Sequence, residues 1–507
     1  MKIFSSEQIR AIDAYTIAEE PISSIYLMER AARVCVKRLI KLIKFEEPIY
    51  IFCGMGNNGG DGFAMARLLS EQGYTIKVCS IHYTENFSAD ALINYTAFKE
   101  RFPSQVIDCF KEEELIAIQP EWTAVAIDAL LGTGLNKPVE GLLGEAIKFT
   151  NSHFRKIISI DIPSGLYADK SSTENKFIIC SSLTLSFQFP KLAFLFAENK
   201  SFVPEFEILD IGLHEKGIAE QSSPYFYITR SDISGLLKKR NKFSHKGTYG
   251  HALLLAGSKG KSGAAIISSK ACLRSGAGLF TLHSTSEAIT ALLHQLPEAM
   301  SDLDPNADHI SEIEKPEKYS ALGIGPGIGL HEDTQQVLKK ILHYYAGPLV
   351  IDADALNILS ENKTWLNFLP ANSILTPHSK EFERLSEKAT DDFERIKLLK
   401  HFSMKYNCIV ILKDAHTAIA MPDGHVFFNS SGNAGLAKGG SGDALTGIIL
   451  GLLSRGYTEA QASLIGTFVH GYAADLCIRK KSMESLLISD VIAQLAKTFK
   501  KLEELKN

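Results

Sequence analysis

Short apolar runs recur along this chain. Each ends at a turn, and amphipathic stretches separate them. In the first half the runs are "PIYIFCG", "YTIKVCS", "TAVAIDALLG" and "RKIISIDIPSG", with stretches such as "GFAMARLLSEQG" between them. Alternation of this kind implies a parallel sheet with helices on both faces. The near-continuous apolar character suits strands buried on both sides. A second series follows: "HALLLAG", "GLFTLHS", "YSALGIGPG", "PLVIDADALN", "NSILTPH" and "CIVILKD". "TAIAMPDGHVFFNSSG" then reads as a hairpin about a Pro-Asp-Gly turn, and helices close the chain. Between about Ile208 and Lys246 the pattern breaks into polar residues, Gly, Ser and Pro, which places a domain boundary there. The expected domains are residues 1–218 and 225–507. A length of 507 residues agrees, being too long for one ordinary core.

The net charge of −4 gives no electrostatic case for nucleic acid or an anionic membrane. The basic cluster "KKRNK", Lys238 to Lys242, reads as a solvated linker or an anion site. The eight cysteines show no CxxC and no zinc spacing. Most, including Cys53, Cys180 and Cys408, sit in apolar runs and read as buried, reduced and cytoplasmic. "MKIFSSEQIRAID" reads as an amphipathic helix start rather than a signal peptide. No apolar run is long enough to span a membrane.

The loop "CGMGNNGGDG", Cys53 to Gly62, contains G-x-G-x-x-G at Gly54, Gly56 and Gly59. A dinucleotide cofactor fold also needs an acid at the end of the second strand. Here that strand, "YTIKVCSIHY", ends without one, which argues against a dehydrogenase. Asp61, Asp128 and Asp161 instead end strands beside Gly-rich turns, and a parallel sheet brings such ends to one crevice. One such Asp is often only a cap. Three suit acid–base work and invite a cation.

"GNNGGDG", "DALLGTGL" and "DIPSGL" together resemble the three signatures of the NAD(P)H-hydrate epimerase domain family, over roughly Met1 to Leu213. That family interconverts the R and S epimers of hydrated NADH and NADPH. The resemblance implies K⁺ on Asn58, Asp128 and Ser164. It implies substrate contacts at Asn57, Asn58, Gly59, Gly60 and Asp61, and at Gly132, Thr133, Gly134, Leu135, Asn136, Lys137 and Pro138. Asp161 would contact substrate and transfer a proton. Lys137 reads equally as a surface lysine.

In "GNAGLAKGGSGDALTGIILGLL", Gly439 to Gly442 lead into an apolar helix starting near Asp443. Free N–H groups and the helix dipole make such a terminus an anion site. Asp443 reads either as an N-cap or as a general base for a substrate hydroxyl.

"KDAHT" followed by "GSGD" resembles the ribokinase-like superfamily. "HKGTYGHALLLAGS", "GAAIISSKACLRSGAGL", "GIGPGIG", "IDADALN" and "LTPHSKEFERL" resemble its NAD(P)H-hydrate dehydratase branch, over about Tyr225 to Ile492. The implied fold is two three-layer α/β domains, a Rossmann-like doubly wound sheet and a ribokinase-like domain. The implied nucleotide contacts are Lys413, Asp414, Ala415, His416, Thr417 and Gly442. The implied hydrate contacts are Ala264, Gly327, His378 and Asp443, with Asp443 as base. Without the resemblance, His378 reads as a turn histidine, and Asp352 and Asp354 as caps or supporting acids. Mg²⁺ with ADP, or ATP, is the expected co-substrate, ADP being typical of bacterial members. Fused in this order, the halves resemble the bifunctional NAD(P)H-hydrate repair enzymes. Their substrates are NADH-hydrate and NADPH-hydrate, and a homo-oligomer is expected. A hydroxyethylthiazole-type kinase with an N-terminal binding module is the alternative.

Overall fold

The computed structural model describes residues 1–506, which form two compact units, Lys2–Ser223 and a second beginning at Pro224. The first unit carries β1 (Ile49–Cys53), β2 (Ile76–Ile81), β3 (Val106–Cys109), β4 (Val125–Ala129), β5 (Lys156–Ile160), β6 (Leu183–Phe187) and β7 (Phe206–Leu209). They pair in the order β3-β2-β1-β4-β5-β6-β7, all parallel. Strand residues alternate between two cores. Ile49, Ile51 and Cys53 pack with the helices Ser24–Leu39 and Asn57–Glu71, while Tyr50 and Phe52 pack with the helix Gly141–His153. The order reverses at β1, which lies between β2 and β4. The crevice beyond the carboxyl ends of β1 and β4 is therefore a topological switch point.

The second unit carries β8 (Tyr225–Ile228), β9 (His251–Leu255), β10 (Leu279–Ser284), β11 (Met300–Leu303), β12 (Ala321–Ile324), β13 (Leu349–Ile351), β14 (Ile374–Leu375), β15 (Ile409–Leu412), β16 (Ala418–Ala420) and β17 (Val426–Asn429). Its order is β11-β10-β9-β12-β13-β14-β15-β16-β17-β8, parallel except where β16 runs against β15 and β17. The helix Ser441–Ser454 is buried throughout from Ala444 to Ser454. It packs backbone to backbone on the helix Ser262–Arg274: a Cβ at Gly447 would lie 2.1 Å from the Ser268 carbonyl oxygen.

Three differences from the sequence reading have clear causes. Strand β8 lies inside the segment read as broken and polar. It is an edge strand, so it lacks the double burial that makes an apolar run. The edge strands β3, β7 and β11 escaped notice for the same reason, their residues being mostly part-exposed or exposed. Cys180, read as buried, is exposed. It follows the buried Ile179 in irregular chain between β5 and β6, where no second layer covers it. Among the described residues no helix is long and apolar enough to cross a membrane.

Candidate active sites

The carboxyl ends of β1, β4, β5 and β6 surround a pocket of about 490 Å³ in the first unit. Gly59 lets the first loop turn tightly, since a Cβ there would fall 1.9 Å from the Gly54 carbonyl oxygen. Gly56 caps the following helix, and nothing lies within 4 Å of where its Cβ would be. Of the residues singled out from sequence, Asn57, Asn58, Asp61, Gly132, Thr133, Gly134, Leu135, Asn136 and Asp161 line this pocket. Gly59, Gly60, Lys137 and Pro138 do not.

Asp161 sits in the left-handed region at φ 64°, a strained position for a residue with a side chain. Its Oδ1 accepts from Lys191 Nζ at 2.6 Å and from the Phe187 amide at 3.3 Å. Lys191 is fully buried and also donates to Ser186 Oγ at 2.9 Å. Burial and the neighbouring Asp161 and Asp13 push the Asp61 carboxyl well above the usual range. Asp13, on the helix Ser6–Glu19, lines the same pocket.

Beneath the pocket Asp128 is completely buried. Its carboxylate accepts from Ser164 Oγ, from the Ser164 amide at 2.8 Å and from Ser159 Oγ at 2.8 Å. Burial raises its pKa, and these bonds oppose the rise. Asn58 Nδ2 donates to the Leu131 and Ile160 carbonyls at 2.9 and 3.2 Å. Asn58 Oδ1 is buried with no partner.

In the second unit the helix begins at Ser441, two residues earlier than the sequence reading, with Gly440 as its N-cap at φ 88°. Asp443 therefore occupies the third helical position and is not the cap. Burial, then the Asp352 carboxylate, raise its pKa to about 6. Asp352 follows β13 and is buried. Its Oδ1 is 3.0 Å from Lys413 Nζ, and its Oδ2 accepts from Thr446 Oγ1 at 2.7 Å. Burial favours its neutral form, yet Lys413 and Thr446 hold it below the usual carboxylate range. A Cβ on Gly442 would meet Lys413 Nζ at 3.3 Å.

His378, three residues past β14, forms an isolated parallel bridge with Lys413 and caps the helix Ser379–Leu385 by accepting from the Glu381 amide at 3.3 Å. Burial lowers its pKa. Gly327 packs on Ala264: a Cβ there would lie 3.3 Å from the Ala264 Cβ. Nearby, Lys261 pairs with Asp354 at 2.9 Å, and Asp354 faces Asp443 electrostatically. Asp414 to Thr417 form the turn from β15 to β16, closed by Thr417 Oγ1 donating to the Asp414 carbonyl at 3.0 Å. His416 turns inward, and burial lowers its pKa.

Sequence reasoning missed Asp13 and Lys191 and left Asp352 undecided. Lys191 lies in "FQFPKLAF", where only its burial within an apolar stretch distinguishes it from a surface lysine. Asp13 lies far from every glycine-rich turn and carries no local signal.

Comparison with known proteins matches each half of the chain to a family. Residues 252–497 match a family model described as NAD(P)H-hydrate dehydratase, and residues 24–193 match one described as YjeF-related protein N-terminus. The chain is 31% identical to the bifunctional NAD(P)H-hydrate repair enzyme Nnr of Moorella thermoacetica, over 99% of this chain and 98% of the relative. It is 31% identical to the Escherichia coli enzyme of the same name, over 88% of this chain and 84% of that one. The second half is also similar to an ADP/ATP-dependent NAD(P)H-hydrate dehydratase from Bacillus subtilis, crystallised with ATP and Mg²⁺. Identity there is 33% and the TM-score 0.48, covering 55% of this chain and 99% of that one. The first unit is an α/β domain on a seven-stranded parallel sheet, and the second an α/β domain on a ten-stranded mixed sheet. On full-length similarity the chain belongs to the family of bifunctional NAD(P)H-hydrate repair enzymes.

Proposed function

We propose that each unit performs one step of NAD(P)H-hydrate repair, with Asp161 serving the first and Asp443 the second. The first unit interconverts the R and S epimers, and the second returns the S epimer to NADH or NADPH at the expense of a nucleotide. The reading rests on one observation above all: a single carboxylate, Asp443, stands free of the cap role at an open helix N-terminus beside Lys413.

In the second unit Asp443 takes the proton from the hydroxyl of the hydrated ring. The hydroxyl oxygen then attacks the terminal phosphoryl of the nucleotide. The amides of Gly439 to Gly442 and the helix dipole hold the transferring group. The phosphorylated oxygen is a good leaving group, and the ring nitrogen's lone pair expels it. Phosphate departs, and loss of a ring proton restores the nicotinamide. With ADP the other product is AMP. Lys413, Gly442 and the Asp414–Thr417 turn contact the nucleotide in this reading, and Ala264, Gly327 and His378 the hydrate. Mg²⁺ neutralises phosphate charge when bound with the nucleotide. Asp352 is already closed by Lys413 and Thr446, so the fit is to a nucleotide-borne ion rather than an all-protein cage.

In the first unit the donor set suits K⁺. The orphaned Asn58 Oδ1, the Asp128 carboxylate and Ser164 Oγ are hard oxygens at one buried spot. The ion would supply charge balance under the loop Leu131–Asn136. Asn57, Asp61 and Asp161 face the substrate above it.

The test is the repair of a mixed preparation of hydrated NADH with Mg²⁺, run with ADP and ATP in parallel and with and without K⁺. Full return of reduced-nicotinamide absorbance is expected, faster with ADP, with both epimers consumed. Asp443→Ala should lower the rate by about 100-fold or more. Undiminished repair in that variant would remove Asp443 from the mechanism. Sedimentation of the intact chain tests the expected homo-oligomer.

A further inference from the structure

Changing the hand of a carbon that bears a hydroxyl needs chemistry on two faces of the ring. A proton must reach the departing hydroxyl on one face. A base must receive the proton of the water arriving on the other. One carboxyl group can do both only by crossing the ring plane. Two carboxyl groups in different states do it directly.

The epimerase pocket holds three carboxyl groups, and their surroundings differ. Asp161 is paired with the buried Lys191 ammonium at 2.6 Å. Asp61 is 9% exposed, lining the pocket from the first turns of the helix Asn57–Glu71, and burial with its acidic neighbours holds its carboxyl well above the usual range. Asp13 lies on the helix Ser6–Glu19, whose Ile9 and Arg10 also line the pocket. It is only part-buried, and no hydrogen bond or ion pair fixes its carboxyl group among the described residues. It faces Asp161, and through it Lys191, electrostatically, and Asp61 in turn senses Asp13.

Resting on the epimerase reading above, we infer that Asp13 is a second catalytic residue of the first unit, the acid that works opposite the Asp161 base. In the forward sense Asp13 gives its proton to the ring hydroxyl. The carbon–oxygen bond breaks, water leaves, and the ring nitrogen's lone pair forms a carbon–nitrogen double bond. A water molecule then adds to the opposite face, and its proton passes to Asp161. One water is released and one consumed. The proton gained by Asp161 and lost by Asp13 is restored by solvent or by the reverse passage.

The state of Asp13 supports this assignment. Burial, and then Asp161, raise its pKa to about 6, while Lys191 pulls it down. An acid of that strength is partly protonated near neutrality and can exchange its proton each turnover. The remaining ionisable groups lining the pocket are Arg10, Asp61 and Tyr83.

The experiment follows the R-to-S interconversion directly, by chromatographic separation of the epimers, in the full-length protein with K⁺ present. Asp13→Asn should slow epimerisation by about 100-fold or more. The native protein should lose rate as pH rises above about 6, and the variant should lack that loss. Dehydration of pure S-hydrate should stay within twofold of native, because the second unit is untouched. Asp13→Glu should restore much of the rate with a displaced pH dependence, which a structural role would not produce. A folded Asp13→Asn protein with native rate and native pH profile overturns the inference, as does failure of Asp13→Glu to restore any rate. A native protein that does not interconvert the epimers above the buffer rate overturns the epimerase reading itself.

Discussion

Each unit builds its site around a carboxylate–lysine pair, and the two pairs are turned opposite ways. In the first unit the Lys191 side chain is 2% exposed and that of Asp161 15%. In the second, Lys413 is 24% exposed and Asp352 2%. One pair therefore presents its anion to the ligand and hides its cation. The other presents its cation and hides its anion. The difference matches the chemistry of each half. Proton transfer at a ring needs a carboxylate within reach, whereas a nucleotide brings phosphate charge that a lysine can meet. A buried ion pair is weak evidence for stability, but its orientation decides which charge a site offers.

The largest expected effect breaks this symmetry by removing the lysine from each pair. Lys413→Met strands the Asp352 carboxylate in the interior and should cost about 3–5 kcal/mol of stability. Lys191→Met leaves Asp161 at a pocket wall, where water can solvate it, and should cost about 1 kcal/mol. Urea unfolding of the two variants measures this, and equal losses would show that orientation does not matter. A smaller effect concerns Asp443, which shares the electrostatic field of Asp352. With a folded-state pKa of about 6 it must lose a proton to act as base. The value of kcat/KM for dehydration should therefore fall about tenfold per pH unit below about 6. Stability runs the other way. A raised carboxylate pKa favours the native state when protonated. That contribution is present below about 3.8, the unfolded value, and is lost as pH rises to about 6. A flat rate profile across this range would detach Asp443 from proton transfer. The smallest effect compares the two glycine-rich loops. Side chains at Gly56 and Gly439 would meet open space. Gly56→Ala and Gly439→Ala should each change stability by under about 0.5 kcal/mol. Each should raise the KM of its own half only, for hydrate and for nucleotide respectively, which steady-state assays of both activities would resolve.

Much of both sites was legible because parallel sheets gather their carboxyl ends. Asp128, Asp161 and Asp443 each stand at a strand end or helix start beside glycines: Asp161 lines the first unit's pocket, Asp128 is buried beneath it, and Asp443 sits in the first turn of its helix. The G-x-G-x-x-G at Gly54 misleads only if all three glycines are given one role. Gly54 and Gly59 are forced together by the tight turn, and Gly56 alone faces open space. What was not legible came from residues whose partners are distant in sequence. Lys191 reaches Asp161 from thirty positions away, and Lys413 reaches Asp352 from sixty-one. A lysine inside an apolar stretch carries no mark of which carboxylate it will meet. Edge strands were hidden for a different reason. With one side open, β3, β7, β8 and β11 need no unbroken apolar run, and their residues read as loop.

Strand β8 has a consequence for how the chain matures during synthesis. Among the described residues β17 is the one strand paired with it, with Tyr225 opposite Val426 and Ile228 opposite Asn429, while on the other edge Tyr227 exchanges backbone hydrogen bonds with Met1. The first strand of the second unit to leave the ribosome thus waits for the last one. The first unit has all its strands before β8 is made, and can fold while the rest is still being translated. The second cannot close its sheet until about two hundred further residues have emerged. Over that interval β8 lacks its partner strand, and Tyr225, Phe226 and Tyr227 make it a sticky edge. Slow or interrupted translation in this stretch would fall most heavily on the dehydratase half, leaving a chain able to interconvert epimers but not to restore the cofactor.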